Sequence, residues 1–401
     1  MFVQICINQS DMEEKNQQVQ QMPKIFASSS QCAIWVGEED ENDTWALDIV
    51  DEIDDLLRSG ESDTGKLSEV LSNGAGRDPY ECLHALFKKP WWGRSWVVQE
   101  AVMAPRATLL YGNQSLDLNV LARIVRRSTF VQGVLRPLTL PYSNAASFWQ
   151  SREWQDAAGL ATIVEARSEE GHNLSLSQLV YATRFRKAYQ PVDRFYSLFG
   201  MLGPDDAYHA GLLVNYASDS ADTCVRIFEM CILRERSLDI LSYISYREDR
   251  VRDFLLPSWA SFCAWDADYS HALPLLQLEE HNSRLARFCA SSSDAAPTFP
   301  RPRIMAIDGW CIDALRTELS HRTHDEVFGE AGYEKFLEHR RIFEATLEHL
   351  CLVPSESQAS DEVYILQGGK TPYVLRKQVE GWEFVGEWHV PLLQRKRLHN
   401  C

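Results

Sequence analysis

Stretches of consecutive apolar residues alternate with helically spaced ones along the first 112 residues. Mainly apolar runs at 2–7, 32–36 and 107–111 predict strands, and the continuous apolar run at 32–36 is typical of a strand that is buried on both faces, as in a parallel sheet. Between the first two runs, residues 11–27 carry apolar side chains at nearly heptad spacing, which predicts a helix. Strand, helix and strand in this order form a βαβ unit, so this part of the chain is predicted to be an α/β layer.

The helices of this layer have recognisable signals. Ser10 opens a capping-box pattern ahead of the first helix, and Pro23 is expected to kink that helix. Apolar residues repeat at helical spacing over 45–56 and leave the acidic side chains on the opposite face. Ser95 can cap a further helix that runs to about residue 103.

The pattern after residue 112 becomes mainly helical and ends in a short β part. The fold class predicted is therefore an α/β N-terminal layer with a parallel sheet, then a mainly helical region with a small antiparallel β element. The predicted domains are 1–112, 113–290 and 303–401. Helices are predicted at 116–127, 175–188, 192–202, 219–235 and 331–350, and strands at 304–311, 362–366, 372–376 and 382–390.

The charge of the chain argues against two classes of partner. With 40 basic and 57 acidic residues among 401, the net charge is 40 − 57 = −17. Such a chain offers no long-range attraction for nucleic acid or for an anionic membrane. Twelve acidic residues against Arg58 alone lie between Glu38 and Asp63, which is typical of a solvated helix face and loop.

The sequence predicts neither a metal site nor a membrane segment. None of the ten cysteines forms a CxxC pair, and several lie in apolar runs, as reduced core residues do. His321-x-x-His324 has no third partner and is interpreted as a surface pair. No apolar run approaches the roughly 18 residues of a membrane span, and no leader is recognisable. We therefore expect a cytoplasmic protein.

The best candidate for chemistry is a Trp/Glu pair. Gly-rich phosphate loops, HExxH and GxSxG are all absent. Trp96 and Glu100 lie four apart, on one helix face, and Trp91, Trp92 and Arg94 come just before them. An aromatic wall beside a carboxylate suits a sugar, because the acid stabilises an oxocarbenium-like transition state.

The same residues also fit a purely structural role, in which the tryptophans fill a core, Arg94 stacks on one of them and Glu100 bonds a backbone amide. The two interpretations differ in the cost of Trp96→Ala. That cost is about 3–5 kcal/mol if the ring is core and close to zero if it is an exposed ligand wall.

Asn8 and Gln9 form a second candidate. They follow the first predicted strand where it meets a helix, and ligands of open α/β sheets gather at the carboxyl ends of strands. Their amides could bond a ligand, or they could form a turn satisfied by its own side chains. Both alternatives stay open.

Several blocks resemble the fungal heterokaryon-incompatibility (HET) domain. They are CINQSDMEEKNQQVQQMPKIFASSSQCAIWVGEE and PWWGRSWVVQEAVMAPRATLLYGNQSL, which together cover about residues 2–112. Weaker likeness continues in QPVDRFYSLFGML, in Asn215-Tyr216-Ala217, in LPSW and in the closing GGKTPYVLRKQVEGWEFVGEWHV. The family usually has an upstream strand block that is absent here and an Asp where this chain has Gln4, so the domain is expected to be incomplete at its N-terminus.

The resemblance implies a function. A HET protein acts in fungal non-self recognition and promotes incompatibility-type cell death, through self-association or protein partners of its N-terminal domain. If the HET domain is related to the Toll/interleukin receptor (TIR) domains, Trp96 and Glu100 match the W-x-x-x-E context of enzymes that cleave nicotinamide from NAD. In that alternative Glu100 is catalytic, Asn8, Gln9, Trp92, Arg94 and Trp96 bind the ligand, and NAD is a substrate, with no cofactor or metal. A third alternative is an inactive truncated paralogue.

Overall fold

The computed structural model describes most of the chain in two compact units, which contacts assign to Met1–Ala217 and Ser218–Cys401. The three-part division expected from the sequence stays a prediction. The described residues are 7–38, 45–59, 65, 78–127, 148, 151–168, 174–202, 214–243, 256–263, 290–291, 293–320, 340–347 and 350–388.

The first unit combines a small mixed sheet with helices. The sheet has the order β1-β2-β3, in which β1 and β2 pair in parallel and β3 pairs antiparallel to β2. Its elements are α1 (Met12–Ala27), β1 (Cys32–Gly37), α2 (Ala46–Ser59), α3 (Pro79–Phe87), α4 (Val97–Met103), β2 (Ala107–Tyr111), β3 (Gln114–Asp117), α5 (Leu118–Arg126), α6 (Arg152–Ser168), α7 (Leu176–Ala182) and α8 (Asp193–Phe199).

The parallel pairing of β1 with β2 confirms the two strands, but burial of β1 on both faces is wrong, because Ala33 and Trp35 are exposed on the face opposite Ile34. Ile34 and Leu109 are opposite one another in the ladder, and both are almost fully buried. The short strand β3 and the helix α6 were not predicted. Of the expected first strand, residues 2–6 lie outside the described part of the chain.

Two of the predicted helix caps are wrong. Asp11, not Ser10, caps α1, because its carboxylate accepts hydrogen bonds from the backbone N–H groups of Glu13 and Glu14. Ser95 does not cap α4, since its hydroxyl donates to the Lys187 carbonyl at 2.9 Å. The helix α1 continues past Pro23 to Ala27.

One acid of α2 does not lie on the solvated face that the sequence predicted. Asp54 is buried, and its carboxylate accepts hydrogen bonds of 2.7 and 2.8 Å from the Arg123 guanidinium of α5. Arg58 approaches the same carboxylate at 2.8 Å. A buried carboxylate needs such partners, so Asp54 ties α2 to α5.

Helices α1, α4 and α8 meet where there is no room for a methyl group. A Cβ on Gly200, at the end of α8, would lie 2.4 Å from Pro23 Cγ and 3.2 Å from Gln99 Nε2. Gln99 is itself buried and donates to the Tyr196 carbonyl at 3.2 Å. Gly200 therefore sets the closest approach of α8 to α1.

Gly200→Ala is expected to destabilise the first unit by roughly 1–3 kcal/mol, because the rigid Pro23 ring cannot move aside easily. The backbone φ of −67° suits alanine, so backbone strain is not the cause. Chemical denaturation measures the change. At Gly93 a Cβ would meet nothing closer than 3.7 Å, which makes Gly93→Ala the matched control; equal stability of the two variants would contradict this account.

The second unit is built on an antiparallel sheet. Six strands pair in the order β11-β10-β9-β6-β7-β8, so the predicted three-stranded meander is one half of a larger sheet. The elements are α9 (Ser220–Glu235), 3₁₀ turns at Asp239–Tyr243 and Ser258–Cys263, β4 (Thr298–Arg301), β5 (Ile304–Ala306), β6 (Gly309–Glu318), β7 (Arg340–Ala345), β8 (Leu350–Pro354), β9 (Glu362–Leu366), β10 (Tyr373–Lys377) and β11 (Trp382–Glu387).

The helix predicted at 331–350 is wrong over its described part. Residues 340–345 form β7, whose alternate side chains Phe343 and Ala345 lie in the core of the sheet. The rest of that core consists of Leu315, Cys351, Val353, Val363, Val374, Val385 and Trp388, with Ile312 packed against it. Residues 321–339, including His321 and His324, lie outside the described part.

The search for metal and membrane features covers the described residues. Among them, no three His, Cys, Asp or Glu side chains gather where a metal could bind. Within the same ranges no helix is long and apolar enough to cross a bilayer. Four of the cysteines described there are buried, namely Cys82, Cys224, Cys231 and Cys351, as the sequence predicted for core residues.

Candidate functional site

The start of α4 is fixed by pairing with a distant segment. The Lys187 N–H donates to the Gly93 carbonyl at 2.6 Å, and the Ser95 N–H donates to the Lys187 carbonyl at 2.9 Å. Arg94 and Lys187 form a parallel β-bridge at this point, and both side chains are exposed. The sequence had placed these segments in different parts of the fold.

A fully buried arginine binds the loop of residues 92–95, which precedes α4. The Arg186 guanidinium donates to the backbone carbonyls of Trp92 and Arg94 and, at 2.6 Å, to the Asp156 carbonyl. The nearby Asp156 carboxyl is also buried. Burial raises the pKa of Asp156 to about 6, although the Arg186 and Arg152 charges oppose the shift.

The raised pKa of Asp156 predicts a pH-dependent stability. Folding favours the protonated carboxyl, so this contribution is full below the ordinary pKa of 3.8 and is lost as pH rises through about 6. Relative to Asp156→Asn, the wild type is expected to lose up to about 3 kcal/mol of unfolding free energy between pH 4 and pH 8. Denaturation curves at several pH values measure this difference, and parallel pH profiles of the two proteins would contradict it.

A cavity of about 620 Å³ opens beside the loop and α4. Trp96 and Glu100 both line it, as their spacing on one helix face predicted. Its wall combines residues of the first hundred positions with residues close to position 200. The lining residues are Ile7, Gln9, Lys15, Val19, Met22, Arg94, Ser95, Trp96, Glu100, Lys187, Ala188, Tyr189, Gln190, Asp193 and Tyr216.

Glu100 is the carboxylate that a ligand would meet. It is half-buried in the cavity wall. Burial raises its pKa, and the Arg94 charge works against that shift. Among the residues that the structure describes, none donates a hydrogen bond to this carboxylate, which can accept hydrogen bonds at both of its oxygens.

Asp193, the second carboxylate of the cavity, has a donor within the first unit. The Tyr216 hydroxyl donates a hydrogen bond of 2.6 Å to it. Burial raises the pKa of Asp193, while this hydrogen bond and the Lys15 charge oppose the shift.

Lys15 completes this side of the cavity. Its ammonium donates to Gln190 Oε1 at 3.0 Å and lies 3.8 Å from the centre of the Tyr216 ring. Burial lowers its pKa, and the Asp193 charge opposes the change. Three cationic side chains, those of Lys15, Arg94 and Lys187, therefore line the cavity together with two acids.

The structure brings together four of the six residues predicted for the site, namely Gln9, Arg94, Trp96 and Glu100. Asn8 lies outside the cavity lining. Its side-chain oxygen accepts from the Ser10 N–H at 3.1 Å, and its own N–H donates to Glu14. Asn8 therefore forms the self-satisfied turn that was one of the two alternatives.

Trp92 is placed in the core and not along the cavity. It is 1% exposed, and its indole N–H donates to the Leu86 carbonyl at 3.0 Å. Its ring packs edge-on against Phe87 and Trp91, with centroids 5.1 and 5.0 Å away. Of the tryptophans considered as a sugar wall, Trp96 is the one that lines the cavity.

Comparison with known proteins finds a family that the first part of the chain resembles. Residues 3–100 match the family "Heterokaryon incompatibility protein (HET)". This part of the chain is similar to the HET domain. The match includes Trp96 and Glu100, whereas Asp193 and Tyr216 lie beyond it.

A curated relative supports the assignment. The "Heterokaryon incompatibility protein 6, OR allele" of Neurospora crassa is 22% identical over 362 residues, in an alignment that covers 78% of this chain and 50% of that protein. The chain thus spans about half the length of this relative. No solved structure matches the chain significantly, and a TIR-like topology of the HET domain stays a prediction.

Lys15, Asp193 and Tyr216 were not predicted as site residues. Each lies in a segment that resembled the HET family, so a signal for their importance was present in the sequence. The sequence did not predict that these residues lie close together, because Lys15 and Asp193 are 178 positions apart and no local spacing relates them.

Proposed function

We propose that this protein acts in heterokaryon incompatibility, as a component of fungal non-self recognition whose HET domain promotes cell death in the cytoplasm. The HET match over residues 3–100 carries the proposal, and the name of the Neurospora relative supports it. In this proposal the domain signals through self-association or through a protein partner, with neither nucleic acid nor membrane involved. The net charge of −17 agrees with the last point.

Induced expression of the full chain in a filamentous fungus tests this role. The expected result is arrest of hyphal growth and uptake of a vital dye within hours of induction. Normal growth at a protein level verified by immunoblot would contradict the proposal and favour an inactive paralogue.

The cavity favours a second candidate function, hydrolysis of NAD. Glu100 lacks a hydrogen-bond donor among the described residues and lies with Trp96 on one cavity wall. In this reaction the bond between nicotinamide and ribose C1′ breaks, and nicotinamide leaves as a neutral base. Water adds to C1′ and releases one proton, so the products are ADP-ribose and nicotinamide.

Each group of the site has a part in that reaction. The Glu100 carboxylate would accept a hydrogen bond from a ribose hydroxyl and would stabilise the positive charge that develops on the sugar. Trp96 would cover the apolar face of the ring. The exposed cations Arg94 and Lys187 would lie where the phosphates of the substrate could bind.

A further inference from the structure

Lys15 is a buried cation in the wall of the cavity. It lies on α1, is 8% exposed and lines the cavity with its side chain. Its ammonium donates a hydrogen bond of 3.0 Å to Gln190 Oε1 and lies 3.8 Å from the centre of the Tyr216 ring. Both partners are uncharged, so these contacts do not neutralise the positive charge of Lys15.

The Lys15 ammonium has capacity for a further partner. An ammonium carries three N–H donors, and the hydrogen bond to Gln190 uses one of them. In the described ranges of the chain, no carboxylate lies within ion-pair distance of this ammonium. A buried charge is costly unless it is paired and hydrogen-bonded. An anionic group of a ligand would supply the missing partner.

Two more cations line the same cavity. Arg94 and Lys187 form a parallel β-bridge, which places their positive side chains next to each other. Both side chains are exposed, and neither makes an ion pair with a residue that the structure describes. Neighbouring like charges repel unless an anion lies close to both. A phosphate suits this task, because it offers three acceptor oxygens to cations on different sides.

We propose that Lys15 binds a phosphate group of a ligand in this cavity, together with Arg94 and Lys187, so that the ligand is a phosphorylated small molecule. A cavity of about 620 Å³ has room for such a molecule. Lys15 and Arg94 lie within the HET match over residues 3–100, whereas Lys187 lies beyond it. The inference rests on the cavity as the site of the proposed function and adds the chemical class of its ligand.

Binding of inorganic pyrophosphate to the full chain tests this assignment, because the probe carries phosphate groups without a sugar or a base. Isothermal titration calorimetry at constant ionic strength measures the affinity. Lys15→Met is expected to bind pyrophosphate about 10-fold or more weakly than the wild type, since it loses a hydrogen bond between two charged groups. A wild type that does not bind pyrophosphate would overturn the proposal.

The matched control for this substitution is Lys24→Met. Lys24 lies on the same helix, but its side chain is exposed and does not line the cavity. The variant has the same change in net charge as Lys15→Met and is expected to keep the affinity of the wild type. Equal weakening in the two variants would assign the effect to net charge and would contradict a role of Lys15.

Lys187→Gln keeps the test decisive if circular dichroism shows that Lys15→Met does not fold. Lys187 pairs with Gly93 and Ser95 through its backbone, and its side chain is exposed, so the substitution leaves this pairing intact. The variant is expected to bind pyrophosphate about 10-fold more weakly than the wild type. Wild-type affinity in Lys187→Gln would overturn the shared phosphate site.

Citrate separates phosphate ligands from carboxylate ligands. It carries several negative charges, but each carboxylate offers two oxygens in one plane. We expect the wild type to bind citrate more weakly than pyrophosphate at the same ionic strength. Citrate binding that is equally tight or tighter would contradict phosphate as the ligand class.

These measurements separate the inference from the proposed function. Growth arrest by a wild type that does not bind pyrophosphate would overturn the phosphate site and leave the proposed function standing. Pyrophosphate binding that depends on Lys15, in a protein that neither arrests growth nor releases nicotinamide, would support the phosphate site and contradict the proposed function.

Discussion

Glu100→Gln is expected to lower the release of nicotinamide from NAD by about 100-fold or more. The substitution removes the negative charge that would stabilise the developing sugar cation and leaves the size of the side chain unchanged. Chromatography of nicotinamide after incubation of purified protein with NAD measures the rate. Circular dichroism must show that the variant is folded.

The matched control for this prediction is Glu13→Gln. Glu13 is an exposed glutamate in the first turn of α1 and does not line the cavity. Its substitution is expected to leave the rate unchanged. Two outcomes would rule out NAD hydrolysis at this site: no nicotinamide from the wild type at high protein concentration, or equal rates for wild type and Glu100→Gln.

The pH dependence of the same reaction follows from the burial of Glu100. The carboxylate must be ionised to stabilise a cation, so the rate is expected to fall as the pH is lowered through the pKa of Glu100. Burial places that pKa above the ordinary 4.5. A rate that stays constant down to pH 4.5 would contradict the role of Glu100 as an anion.

Trp92→Ala is expected to lower the free energy of unfolding by about 3–5 kcal/mol, whereas Trp96→Ala costs roughly 1–2 kcal/mol. Trp92 loses a complete core environment and the hydrogen bond to Leu86. Trp96 is half-buried and lines the cavity, so its removal deletes part of one cavity wall. Denaturant titration of both variants gives the two values.

The difference between the unfolding free energies of Trp92→Ala and Trp96→Ala shows which role Trp96 has. The sequence left Trp96 as either a core ring or an exposed wall, and the structure gives it features of both. If Trp96→Ala cost as much as Trp92→Ala, the ring would be part of the core and the cavity would lose its aromatic wall. If Trp96→Ala were neutral, the half-buried packing of this ring would be contradicted.

The sequence predicted the elements whose structure depends mainly on local sequence preference. The segments at 32–36 and 107–111 are rich in apolar residues and short, which suits strands, and the structure pairs them in parallel. Burial on both faces did not follow, because Trp35 of β1 is exposed. The Trp96–Glu100 spacing likewise fixes a shared face, because it depends on helix geometry alone.

Contacts between distant segments decided the elements that the sequence missed. Residues 340–345 were predicted as helix, but their backbone pairs with β6 and β8, and this tertiary pairing overrides local preference. The helix predicted over 175–188 ends at Ala182, after which Arg186 and Lys187 turn to the loop before α4. No local sequence pattern predicts that residues 186–187 bind the loop before α4.

The candidate site was also predicted only in part. The sequence placed Trp96 and Glu100 together, because both lie on one helix. The rest of the site depends on where Asp193 and Tyr216 meet Lys15, and only the folded chain brings these residues together. Trp92 lies four positions before Trp96, and this closeness in the sequence did not predict that Trp92 packs in the core instead of along the cavity.

Induced expression of the wild type, Glu100→Gln and Glu13→Gln at equal protein levels tests most directly whether the cavity beside α4 carries the proposed function. The account predicts growth arrest by the wild type and by Glu13→Gln, and normal growth with Glu100→Gln. Arrest by Glu100→Gln as complete as that by the wild type would contradict it.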